Sequence, residues 1–208
     1  MKKITLSTKK YYEKKLDFFG NNFKGMNWSS KKSQYLRFEE LIKVADLKNK
    51  TVHDVGCGNG EFLKFLIKKN KKIKFFLGSD ISEKMINRCK KKYNKLSGVD
   101  FLVLDIANDK FTKKFDFVIS SGIFNVKNNF NNKIWKKYVF NLISLMFESS
   151  KKACAINFLT PYTTYRDKNL FYMNLHELIL ELRKNITKKI IINHSYNLWE
   201  YTVYLYKK

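Results

Sequence analysis

Hydrophobic periodicity along this chain switches repeatedly between the two-residue repeat of a strand and the 3.6-residue repeat of a helix, which predicts an α/β fold on a largely parallel sheet. The clearest unit is 51–62, T-V-H-D-V-G-C-G-N-G-E-F. Thr51, Val52 and Val55 suit a short buried strand, Gly56, Gly58 and Gly60 follow at alternate positions, and Phe62, Leu63, Leu66 and Ile67 open a helical spacing. The third observation is an acid at the end of each of three successive strands: Asp54, Asp80 and Asp105. Parallel strands bring their carboxyl ends to one sheet edge, where open α/β sheets bind ligands.

In chain order, residues 7–19 read as a helix with Leu16 and Phe19 among its apolar positions, ended by Gly20-Asn21-Asn22. Ser29 or Ser30 caps a second helix that continues through Leu36, Leu41 and Val44 to about Asp46. After the glycine unit, strands are predicted at 74–79, 99–104 and 115–119, with a helix over 82–93 between the first two. Trp135, Tyr138, Val139, Leu142, Ile143 and Met146 fall at helical spacing over 132–146 and are read as core. A fifth strand at 153–159 leads into an irregular polar and aromatic stretch to Tyr172, then a helix at 175–183. Strands at 189–193 and 198–206 form an antiparallel pair about His194-Ser195-Tyr196-Asn197.

The 208 residues suit one α/β domain, with 1–48 as an N-terminal helical segment over a 49–208 core; 44% hydrophobic residues are enough for a real core. The single proline, Pro161, and the lack of a low-complexity linker argue against a second domain. The formal net charge is +24. It is read first as solvated helix faces in a Lys-, Asn- and Ile-rich composition, since the lysine pairs are scattered, and second as a basic surface for nucleic acid or anionic lipid. Cys57, Cys89 and Cys154 are odd in number and far apart, which speaks for a reducing compartment and against a disulfide framework or zinc site. Without an apolar stretch of signal or membrane-span length, the expected location is the cytoplasm.

Which ligand the glycine loop serves follows from its chemistry. A loop of glycines lets a ligand approach the backbone where no Cβ intrudes. The dinucleotide fingerprint G-x-G-x-x-G wants its third glycine one position later, where Glu61 stands, and Asp54 would repel a phosphate. A ligand with cationic groups and no phosphate suits this edge, and S-adenosylmethionine (SAM), with its ammonium and sulfonium, fits. Asp80 lies at the distance from the loop expected of a ribose-binding acid.

Asp54-Val55-Gly56-Cys57-Gly58-Asn59-Gly60 resembles motif I of the class I SAM-dependent methyltransferases, and Gly78-Ser79-Asp80-Ile81-Ser82 resembles their second motif. The resemblance implies a Rossmann-like seven-stranded sheet of order 3-2-1-4-5-7-6, last pair antiparallel, with helices on both faces and an N-terminal helical lid. It implies that Asp54 holds the amino group of SAM, Gly56, Cys57, Gly58 and Gly60 underlie its methionine and ribose, Asp80 holds the ribose, Ile81 and Ile106 flank the adenine, and Asp105 accepts from the adenine amino group. In this family the loop from Ser120 and Ser121 carries a carbonyl near the SAM amino group and then substrate contacts, which makes Asn125 a substrate candidate. The loop lacks the N-P-P-Y or D-P-P-Y signature of amino methyltransferases acting on nucleic-acid bases.

The pattern G-x-x-W-x-S-x-x-x-Q-x-x-R-F at 25–38 resembles one subgroup of small bacterial class I enzymes found with surface-polysaccharide and other small-molecule pathways. Trp28 is expected as an anchor for the lid or a cofactor contact. Arg37 is expected to pair with the SAM carboxylate, or else with Glu40 at the surface. Candidate bases are His194, His176 and Glu200, with Tyr172 and Tyr196 as hydrogen-bonding partners near substrate; His53 is read as packed within its strand. No metal is expected. The reading is methyl transfer to a small-molecule acceptor such as a sugar or other hydroxyl-bearing metabolite. RNA methylation and a non-catalytic SAM-binding module are the alternatives.

Overall fold

The structure, a computed structural model, describes residues 1–20, 22–23, 25 and 28–207. Met26 and Asn27 of the N-terminal pattern, and Asn21 of the predicted helix stop, lie outside the described residues.

Seven strands form one sheet of order β3-β2-β1-β4-β5-β7-β6. They are β1 (Thr51–Val55), β2 (Phe75–Asp80), β3 (Val99–Val103), β4 (Phe115–Ser120), β5 (Ser150–Leu159), β6 (Ile190–Asn193) and β7 (Glu200–Tyr206). The first five run parallel, and β7 is antiparallel to both β5 and β6. Helices α1 (Lys2–Phe19), α2 (Lys31–Leu41), α3 (Glu61–Lys68), α4 (Glu83–Tyr93), α5 (Asn132–Ser149) and α6 (Leu175–Asn185) complete the fold.

Side-chain alternation along the central strands divides the core into two layers. Val118, Cys154, Ile156, Val203 and Leu205 point to the layer made with α5 and α6, where Trp135, Val139, Ile143 and Leu178 meet them. Their neighbours Phe117, Ile119, Ala153, Ala155 and Tyr204 point the other way, onto Phe38 and Leu41 of α2, Phe62, Phe65 and Leu66 of α3, and Ile86 of α4. Phe65 is fully buried, and truncation to alanine would cost about 3–5 kcal/mol.

Element boundaries differ from expectation where tertiary contacts decide them. α1 begins at Lys2 rather than Ser7, because Met1 O accepts from Ile4 N and Thr5 N and both side chains are buried. α5 runs to Ser149 and passes directly into β5: the Ser149 and Ser150 hydroxyls donate to Met146 O and Phe147 O, at 2.9 and 2.7 Å, and satisfy the helix's last carbonyls. β7 starts at Glu200, with Leu198 and Trp199 still in the turn.

Candidate functional site

At the carboxyl edge of the parallel strands lies a cleft of about 280 Å3, near the lower end of the ~300–1,000 Å3 typical of ligand pockets. Its floor comes from the β1–α3 loop. Gly56, Gly58 and Gly60 all have positive φ, between 52° and 76°. At Gly56 a Cβ would lie 2.2 Å from Ile123 Cγ2. At Gly56, which lines the cleft, left-handed backbone and the pressing β4 loop each exclude a side chain.

Asp54 stands at the end of β1, 3% exposed, and among the described residues its carboxylate has no hydrogen-bond partner. Burial first, and then Asp80, push its carboxyl up to about 8. Asp80 at the end of β2 is also raised by burial, which outweighs the hydrogen bonds it accepts from Ser82 N at 2.8 Å and Gly58 N at 3.0 Å. Two buried acids side by side in the cleft, neither ion-paired among the described residues, make a site that favours a positively charged ligand and disfavours a phosphate. Ser82 caps α4, accepting from Met85 N at 3.4 Å. Asp105 accepts from Ala107 N and Asn108 Nδ2, at 3.1 and 2.6 Å, which shapes the loop after β3.

α1 covers the cleft. Thr8, Lys9 and Tyr12 line it, Ser82 Oγ donates to Glu13 at 2.8 Å, and Lys84 pairs with Asp17 at 2.9 Å. Leu16 packs on Met85 beside Tyr12 and Trp28.

The far wall is a closed circuit of contacts. The Arg37 guanidinium lies over the Trp28 ring, 4.5 Å from its centroid. Arg37 Nε donates to both Glu200 oxygens, at 2.9 and 2.8 Å. Glu200 Oε2 also accepts from Asn157 Nδ2 at 2.7 Å, and Asn157 Oδ1 accepts from Gly122 N at 3.2 Å. At Gly122, with φ 80°, a Cβ would meet Trp28 Cη2 at 2.4 Å, so the indole lies on bare backbone and closes the circuit. The expected surface pairing of Arg37 with Glu40 gives way to a buried pair with Glu200, and Glu200, a candidate base in the sequence, is 1% exposed and taken up by that pair.

Four buried polar atoms around this cleft have no partner among the described residues: Thr8 Oγ1, Arg37 Nη1, Ser121 Oγ and Asn125 Oδ1. Buried groups of this kind are rarely left unpaired without a reason.

The cleft therefore gathers Trp28, Arg37, Asp54, Gly56, Cys57, Gly58, Asp80, Ile81, Asp105, Ile106, Ser121, Asn125 and Glu200 of the sequence candidates. Others stand apart from its lining. Ser120 donates to Val55 O at 2.6 Å beneath it, and Gly60 packs under Tyr93 and Cys89. The Tyr172 hydroxyl accepts from Asp167 N at 2.9 Å, and Tyr196 bonds Thr202 Oγ1 at 2.9 Å. His194 is exposed, edge-on to Tyr201, and His176 is exposed on α6. His53 is fully buried on Ser79 Oγ at 2.8 Å, and burial followed by Lys113 lowers its pKa to about 3. Sequence reading missed Asn157, whose signal is a lone amide inside the apolar run 153–159, and Thr8 with Tyr12, four residues apart on one face of α1.

Residues 46–189 match the family model described as a methyltransferase domain. A Mycobacterium tuberculosis protein carrying a methyltransferase name, Rv1506c, is 25% identical over 160 residues, 76% of this chain and 93% of its own length. The malonyl-acyl-carrier-protein O-methyltransferase of Acetivibrio thermocellus is 31% identical over 99 residues, 46% of this chain but 34% of its own length. In fold, the chain is similar to the N-methyltransferase NodS from Bradyrhizobium japonicum, crystallised with S-adenosyl-L-homocysteine: TM-score 0.68 at 12% identity, covering 96% of this chain and 97% of that one. With the family model spanning more than half of its length, and the sheet order that family implies, the chain belongs to the class I SAM-dependent methyltransferases.

Proposed function

We propose that this enzyme methylates a hydroxyl of a small-molecule acceptor, a sugar or other hydroxylated metabolite, under a lid formed by the 1–48 segment. In this reading Asp54 receives the ammonium of SAM and Asp80 its ribose hydroxyls, while Ile81 and Ile106 flank the adenine beside Asp105. The orphaned Asp54 carboxylate supports the fit: a cation there restores an ionised pair that burial alone opposes. When bound, SAM supplies the electrophilic methyl carbon. The chain's own part is to hold the reactants in line and keep water out. Thr8 and Tyr12 of α1 roof the cleft. The circuit Trp28–Arg37–Glu200–Asn157–Gly122 fixes the β4 loop, and with it Ser121 and Asn125.

The observation that carries the acceptor class is Asn125 Oδ1, a buried acceptor atom with no donor among the described residues, on a residue that lines the cleft as Ser121 does. A hydroxyl of the acceptor satisfies it. Glu200 already takes donors from Arg37 and Asn157, so we assign it to positioning Arg37 rather than to proton uptake. Against RNA as the acceptor, Lys9 is the one lysine among the described residues lining the cleft. The test is release of S-adenosylhomocysteine from SAM across a panel of sugars and hydroxylated metabolites, amines and RNA. Turnover with hydroxyl compounds, reduced at least ~100-fold by Asn125→Leu, is expected if a buried substrate bond is lost there. Turnover confined to RNA would refute the reading.

A further inference from the structure

Lysines that are scattered in the sequence are gathered by the topology. β1 to β5 all start at the edge opposite the cleft, β6 starts there too, and β7 ends there. Lys50 and Lys74 enter β1 and β2 and are joined by Lys74 N to Lys50 O at 2.8 Å. Lys113 and Lys114 precede β4, whose Phe115 pairs with Ser150 at the start of β5. Lys151 and Lys152 follow at once, Lys207 N donates to Lys152 O at 2.8 Å, and Tyr206 N donates to Lys189 O at 3.0 Å. Six strand ends from β2 to β6 thus carry lysine without a break, a rim about 24 Å long at ~4.8 Å per strand.

None of these rim lysines joins an ion pair among the described residues, although Lys43, Lys64, Lys69, Lys84, Lys92 and Lys136 do elsewhere. Of the interleaved acids, Asp116 accepts from Thr51 N and Oγ1, at 2.9 and 3.0 Å; burial raises its pKa, but these bonds, with Lys152 and Lys151, hold it below the usual carboxylate range, so it offsets part of the rim's charge. At one end the rim opens into a groove of about 310 Å3 lined by Lys188, Lys189, Lys207, Thr187 and Tyr206 over Phe147. No acid lines that groove among the described residues. Lys207 is held below the usual lysine range by burial first and then by Lys114, which together outweigh the opposing pull of Glu148.

We propose that this rim binds the phosphate backbone of a nucleic acid, independently of sequence, on the side of the enzyme away from its active cleft. Along one strand, 24 Å corresponds to about seven phosphates at ~3.4 Å each. The most exposed large apolar side chains, Phe18 at 81% and Tyr165 at 75%, lie on α1 and in the loop after β5, and near the rim only Ile191 of β6 is exposed among the large apolar residues described, a single side chain where a lipid surface takes a broad apolar face. With the reacting edge at the other end of the strands, the bound polymer is a tether for the enzyme and not its methyl acceptor.

The test uses fluorescence anisotropy of a labelled mixed-sequence RNA with the full chain, between about 50 and 200 mM salt. The fourfold variant Lys113→Gln, Lys151→Gln, Lys188→Gln, Lys189→Gln is compared with a charge-matched variant on α1, Lys2→Gln, Lys3→Gln, Lys10→Gln, Lys14→Gln. The rim variant is expected to raise Kd at least ~10-fold and to flatten the slope of log Kd against log salt by about 2 to 3, while the α1 variant shifts Kd less than ~2-fold. SAM affinity, read by calorimetry, stays unchanged in the rim variant, which separates failure here from failure of the proposed methyl-transfer site. Equal losses in both variants, or binding to phosphatidylserine vesicles with none to RNA, would overturn the proposal.

Discussion

Asp54→Asn is expected to stabilise the free enzyme while damaging its cofactor site, two effects of opposite sign from one atom. The Asp54 carboxyl titrates at about 8 in the fold and near 3.9 in an unfolded chain. Between those values the folded chain keeps a proton the unfolded chain has released, so stability falls as pH climbs from about 4 to about 8. At pH 7 the penalty spans about three pK units at 1.36 kcal/mol each, ~4 kcal/mol for a fully dehydrated carboxyl. Water standing in an open cleft screens part of it, leaving ~2 kcal/mol. Asparagine keeps the shape and has no such charge, so the variant's Tm at pH 7 rises by ~4–8 °C, with no gain near pH 4. The same change removes a charge-assisted bond to the cofactor's ammonium, worth ~1.5–3 kcal/mol, and weakens SAM binding ~10- to 100-fold. Scanning fluorimetry from pH 4 to 9, with and without SAM, reads both effects. A variant that melts below the wild type at pH 7, or that binds SAM as tightly, would refute the reasoning.

Because Asp54 is protonated in the free enzyme up to about pH 8 and a bound cation draws the proton off, SAM binding should release protons and tighten as pH rises from 5 toward 8; calorimetry in buffers of different ionisation enthalpy measures the release, and a buffer-independent enthalpy at pH 6.5 would sink it. Arg37→Met leaves Glu200, 1% exposed, as an unpaired buried charge and should cost ~3–5 kcal/mol in urea unfolding, whereas adding Glu200→Gln should restore at least half of that; additive losses would show that the pair is not coupled. His194→Ala should lower kcat less than ~3-fold because its ring stands outside the cleft lining, and a loss near 100-fold would place it at the reacting atoms.

The sheet was legible because its signals are local. The period-two runs, the positive-φ glycines and the acid-ended strands report on backbone within a few residues, and the order of all seven strands followed once motif I was identified. The wall of the cleft was not legible in the same way. Glu200 meets Arg37 across a sequence separation of 163 residues, and Asn157 meets Gly122 across 35. No periodicity carries such partners, so Arg37 read as a cofactor or surface residue and Glu200 as a candidate base. Tyr172 and Tyr196 carry hydroxyls suited to substrate contact, but each is held by a near neighbour, Asp167 and Thr202. The lysines show the reverse case: pairs that looked like solvated faces one at a time form a rim only after seven strands are laid side by side.

That rim raises a question the charge count alone would answer wrongly. A chain of net charge +24 should repel a cationic cofactor. Yet β1 is five residues long, which at ~3.3 Å per residue sets the rim about 17 Å from the carboxylates. One lysine at that range acts through water with ~0.24 kcal/mol, and a Debye length of about 8 Å cuts this roughly eightfold. The nine rim lysines together sum to ~0.3 kcal/mol. Asp54 at ~4 Å from an ammonium, in an effective dielectric near 20, supplies ~4 kcal/mol in the other direction. Local carboxylates therefore govern the cleft and the rim governs the far edge, with little exchange between them. SAM affinity should change less than ~2-fold between 50 and 200 mM salt, over the same range in which RNA affinity falls steeply. If SAM binding instead tightened strongly as salt was added, the lysines would be acting on the cleft, and the separation of the two edges would be wrong.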